Sequence, residues 1–170
     1  MTYTIRHTGT LLLLCLSFLL FSGCVQSSPD PIQFNDTLVR LQKEVRDKII
    51  LFSDQIGATQ PIEKTHLLQD VQEIKTLIDK DIATLETLPT PRGGEAFKTA
   101  IKGLLEFYNH VCDQDFPTMV KLLAKPDASE EDAIMLNNLQ QSIQDQEAIW
   151  NKKVQDAQSN FARIYHMTIQ

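Results

Sequence analysis

Any chemistry in this 170-residue chain has to be built on four histidines, three cysteines and a scatter of carboxylates. The nearest approach to a metal motif is Glu63-Lys64-Thr65-His66, a Glu-x-x-His unit. A di-metal site in a helical bundle takes two such units and two further glutamates, converging from different helices. No second unit occurs, and Glu106 with His110, four apart on one helix face, supplies only a pair. Metal is therefore not expected, and Glu63 reads as a carboxylate favoured near a helix N-terminus. Covalent haem needs C-x-x-C-H, which does not occur. His110, His166, Met119 and Met167 are available as axial ligands, but methionines on an apolar stripe usually fill cores. Asp113 and Asp115 offer two carboxylates where calcium takes roughly six to eight oxygens. Gly93-Gly94 has no Lys-Ser/Thr behind it and reads as a turn, not a phosphate loop. Cys112 adjoins Val111 on an apolar stripe and is expected to be buried. As a nucleophile it would need His110 or His166 as its base. No catalytic, metal or cofactor residue is assigned, and the chain is not expected to be an enzyme.

The elements that would position these residues are helical. Phe34, Leu38, Leu41, Val45, Ile49, Phe52 and Ile56 follow one another at three- and four-residue steps, the spacing of one helix face. Asn35 or Asp36 is the expected cap, and Gly57 the stop. A second stripe follows Pro61: Leu67, Val71, Ile74, Ile78, then Ile82 or (in strict register) Asp81, then Leu85 and Leu88. Pro89-Thr90-Pro91-Arg92-Gly93-Gly94 ends it. A third carries Phe97, Ile101, Leu104, Tyr108 and Val111 before Pro117, where a missing N–H and a ring clash predict a kink or break. Met119, Leu122 and Leu123 continue it as far as Pro126. Asp127 to Glu130 and Ser129 to Asp132 both resemble capping boxes. The last and longest segment places Leu136, Ile143, Trp150, Val154, Ala157, Phe161 and Ile164 in register. Trp150 is expected in the core. With short connections and no alternating strand pattern, the expectation is all-α: an antiparallel up-down four-helix bundle, kinked near Pro117.

The N-terminus is of another kind. One cation, Arg6, precedes eleven apolar or small residues from Leu11 to Phe21, then Ser22 and Gly23. This is the layout of a cleavable secretory signal. The run is shorter than the roughly 20 residues needed to span a bilayer as a helix. Phe21-Ser22-Gly23-Cys24 resembles the lipobox of bacterial lipoproteins, with phenylalanine where that family prefers an aliphatic residue. The resemblance implies cleavage before Cys24, a diacylglycerol on its thiol and acylation of the new amine. Two or three acyl chains would make membrane lipid a stable partner. Val25, in place of an aspartate, implies the outer membrane if the cell has one. Residues 1–23 then form the signal peptide, 24–31 a lipidated tether reaching at most about 25 Å, and 32–170 the bundle.

The mature part, from Cys24 on, keeps all 22 acidic side chains of the sequence and every basic one but Arg6. That balance disfavours non-specific binding to nucleic acid, which selects for Lys/Arg fields. As a whole the chain resembles the small helical-bundle lipoproteins of bacterial envelopes, a likeness of architecture that implies no activity. The preferred functional expectation is a non-catalytic binding or assembly module that holds an envelope protein partner. The amide-rich stretch Asn137, Asn138, Gln140, Gln141, Gln144 and Gln146 is one candidate contact face. The alternative is a small-molecule, haem or metal carrier with its site between helices, around Tyr108, His110 and the Pro117 kink.

Overall fold

The computed structural model describes residues 29–57 and 64–168. The signal region, Cys24, most of the tether, and the segment holding Pro61 and Glu63 lie outside the described residues. Helix α1 spans Pro31–Gly57 and α2 spans Lys64–Thr87. Helix α3 (Glu95–His110) passes through a π turn at Val111–Asp115 into α4 (Phe116–Leu123), and α5 runs from Glu130 to Ile164. The stretch from α3 through α4 acts as one rod, so the described residues form an antiparallel up-down four-helix bundle. Direction is read from cross-helix partners. Asn35 meets Gln158 while Gln42 meets Asn151, and Lys102 meets Glu86 while Lys75 meets Asn109.

The start of α1 differs from expectation. Pro31, assigned to the tether, is the first helical residue, a position where its absent N–H is no loss. Asp30 caps the helix in place of Asn35 or Asp36, its Oδ1 accepting from the Ile32 N–H at 2.9 Å. At α5 the two overlapping capping boxes resolve in favour of Ser129. Its side chain accepts from the Asp132 N–H, and Asp132 accepts from the Ser129 N–H in return. Between α2 and α3, Gly93 takes φ +79°, and the Lys98 ammonium donates to the Leu88 carbonyl at 2.7 Å. A cation thus satisfies an orphan carbonyl just beyond the end of α2.

The kink is a π turn, and it has a packing consequence. An α-helix through Pro117 would drive the ring into the Asp113 carbonyl. The Phe116 N–H instead reaches back five residues to the Val111 carbonyl. Seven-residue steps from Tyr108, Val111 and Cys112 would put Asp115, Thr118 and Met119 on the buried face. With the extra residue in the turn, Phe116 and Val120 are buried in place of Asp115 and Thr118, and Met119 stays buried. Phe116 then packs on Phe52 of α1, ring centroids 4.4 Å apart.

The core follows the predicted stripes on α1, α2 and α3, with departures at Asp81, on α5, and at Leu123 of α4, which is exposed. Strict register prevails on α2, where Asp81 is 1% exposed and Ile82 only half-buried. Trp150 is half-buried, its ring lying across Gly103 of α3 and under the Lys153 ammonium. Ile164 is exposed although it lies beside Gly93, and Phe161 and Ala162 take the core positions instead.

Candidate functional site

Helices α1 and α5 close the bundle, and their backbones stand farther apart than those of the other neighbouring pairs. Toward the N-terminal end of α1 the gap is bridged by side-chain amides. Gln158 donates to Asn35 at 3.1 Å and Gln42 donates to Asn151 at 3.4 Å. Toward the other end no bridge occurs among the described residues, and a cleft of about 420 Å³ opens; another of about 590 Å³, lined by Asn35, Val39, Gln158 and His166, lies beside the first bridge. The former lies within the size range of small-ligand sites, roughly 300–1,000 Å³.

Each wall has a traceable origin. Ile49 and Ile56 come from the buried stripe of α1, and Ile143 from the thin apolar stripe of α5. Phe116 reaches the cleft because the π turn shifts its register, and Met119 lines the cleft beside it. The rim is polar, formed by Ser53, Asp54, Gln140, Gln144 and Glu147. At one end the buried Tyr108 hydroxyl donates to Glu147 Oε1 at 2.7 Å. Burial, the Glu147 hydrogen bond and its negative charge all push the phenol well above its usual range. The hydroxyl therefore stays protonated and orients the carboxylate. No other donor among the described residues reaches Glu147, and neither Glu147 nor Asp54 forms an ion pair there.

The residues named from sequence are only partly brought together. Tyr108 and the π turn adjoin the cleft, as do Gln140 and Gln144, whereas His110 is exposed and not part of it. Asn137, Asn138, Gln141 and Gln146 face solvent, with Gln141 donating to Asp145 at 2.8 Å. Met119 is buried, and His66 and His166 are exposed. No cluster of three or more metal-ligating His, Cys, Asp or Glu side chains occurs among the described residues. Asp113 pairs with Lys75 at 3.3 Å, and Glu106 lies 3.9 Å from Lys102. Cys112 is buried and free, its thiol pushed up to about 12, first by desolvation and then by the Asp113 charge. A thiol held neutral in this way is a poor nucleophile.

A larger groove of about 930 Å³ lies on the outside of α2, α3 and α5, beside Trp150. Its charges are largely matched: Lys102 pairs with Glu86 at 3.0 Å, and the Lys153 ammonium sits 3.9 Å from the Trp150 ring centroid. With Gly103 filled by the indole, it reads as the outer surface of a packed helix pair. The cleft between α1 and α5 is the better site because it combines apolar walls with an oriented, unpaired carboxylate.

No helix among the described residues is long and apolar enough to cross a membrane. Comparison with protein families, with curated proteins and with solved structures finds no match to this chain.

Proposed function

We propose that this chain is a lipid-anchored, non-catalytic binding module of the bacterial cell envelope, and that it holds a small ligand in the cleft between α1 and α5. The observation that carries the ligand reading is the cleft itself: apolar walls ending at a Glu147 carboxylate that a buried tyrosine orients. The anchor reading rests on the signal-like run from Leu11 to Phe21 and on Cys24 behind Ser22-Gly23. With Cys24 acylated, the Pro31 end of α1 would sit near the bilayer, the outer membrane where a cell has two. The cleft begins at Ile49, about 27 Å further along the helix at 1.5 Å per residue. It would then open away from the lipid.

A second reading, an assembly module for an envelope protein, is favoured by a different observation. Ile50, Leu51, Leu68, Leu123, Ile134 and Met135 are exposed at the bundle end opposite Pro31. In this reading the far tip of the bundle meets the partner.

Native mass spectrometry of the protein extracted from its own cells tests both. The expected mass is that of residues 24–170 with acyl chains, plus a small non-covalent ligand. A large added mass in place of a small one favours the assembly reading. Cys24→Ala should leave an unprocessed precursor or a chain released from membranes. A processed Cys24→Ala chain that stays membrane-bound would overturn the anchor.

A further inference from the structure

We infer that the cleft between α1 and α5 selects a small amphiphile with an apolar chain or ring and a cationic head, an alkyl- or arylammonium. The inference deepens the ligand-binding reading and rests on it.

Size comes first. The cleft runs alongside Ile49 to Ile56 on α1 and Gln140 to Glu147 on α5, seven residue steps on each side. At 1.5 Å per residue that is about 10 Å of length. Its volume of about 420 Å³ then leaves a cross-section on the order of 40 Å². A short alkyl chain or a single ring fits that space.

Charge comes second. Apolar Ile49, Phe116, Met119 and Ile143 would hold the ligand body. Glu147 stands at one end with a single protein hydrogen bond, and Asp54 lies on the rim with no ion pair among the described residues. Arg46, exposed on α1 near Tyr108, is the opposing charge, and it makes no ion pair with Glu147. A cationic head placed at Glu147 gains a charge-assisted hydrogen bond. A carboxylate head there would meet a like charge. A hydroxyl head would gain a weaker bond.

The test uses the full processed chain in lipid nanodiscs, with empty nanodiscs as the blank. Hexylammonium, hexanol and hexanoate are titrated separately by calorimetry at low ionic strength. Saturable hexylammonium binding is expected, about tenfold tighter than hexanol, the difference one charge-assisted hydrogen bond provides. Glu147→Gln, which still accepts from Tyr108, should weaken hexylammonium by about tenfold and leave hexanol unchanged. Arg46→Ala should tighten hexylammonium. Equal affinity for hexanol and hexylammonium, or an unchanged Glu147→Gln, would overturn the charge selection while leaving an apolar site standing. Absence of saturable binding by all three probes would overturn the selection together with the reading of the cleft as a ligand site.

Discussion

Replacing Asp81 by asparagine should stabilise the bundle at neutral pH and do little in acid. The carboxyl is 1% exposed on the buried stripe of α2, and its Oδ2 has no hydrogen-bond partner. Arg40, the nearby cation on α1, is already engaged with Glu44 at 2.8 Å. Desolvation, and then the Glu44 charge, raise the Asp81 pKa above its ordinary 3.8, against smaller opposing effects from Lys80 and Arg40. A raised folded-state pKa means that the favourable contribution of this carboxyl is complete below about 3.8. It is lost as pH climbs through the raised value, so at pH 7 a buried, unsatisfied acid burdens the fold. An unsatisfied buried polar group costs about 1–3 kcal/mol, more when charged. Asparagine has nearly the same shape and no charge, but its buried amide still lacks partners, which holds the net gain to about 1 kcal/mol. For a domain of this size that is about 2–4 °C in Tm. Circular dichroism melts of both chains at pH 7 and pH 4 provide the comparison, with the difference expected to shrink at pH 4. A less stable Asp81→Asn at pH 7, or an advantage equal at both pH values, would refute the reasoning.

Three further outcomes follow from packing, capping and burial. Gly103→Ala places a Cβ about 2.6 Å from Trp150 Cη2. The helix-propensity gain of about 1 kcal/mol is then outweighed by overpacking of about 1–3 kcal/mol; a lower Tm and a shifted tryptophan emission are expected, and a higher Tm would contradict the close approach. Ser129→Ala removes one half of the capping box on α5 and should lower stability by about 1 kcal/mol, read as a Tm loss absent from Ser142→Ala on the exposed middle of the same helix. Cys112, with its thiol pushed up to about 12, should resist a thiol-specific reagent at pH 8 until denaturant is added; rapid labelling of the native chain would show that it is accessible.

Helix content, the core stripes of α1 to α3 and the position of the glycine turn were legible in the sequence because each is a local property. An apolar residue every three or four positions specifies a buried face whatever it packs against. The same periodicity exposed the ambiguity between Asp81 and Ile82, but not its outcome. A carboxylate at a core position is costly, and only the geometry of α1 against α2 determines that Asp81 occupies it. Pro117 announced an irregularity. That it would be a π turn was present in outline, as buried Tyr108, Val111 and Cys112 recur eight residues later as Phe116, Met119 and Val120. A count by sevens passes over that repeat.

The candidate site was less legible. Tyr108 and Glu147 lie 39 residues apart, and nothing local pairs them. The amide bridges between α1 and α5 join residues 109 and 123 positions apart. By itself the sequence determined which residues prefer burial, where the chain turns, and that the N-terminal segment differs in kind from the rest. Only the tertiary structure decided that the first and last helices leave clefts between them and that a π turn tips Phe116 into one of these. The physical reason is range. Periodicity, caps and turns act within a few residues, whereas a cleft is the space left where distant helices do not meet.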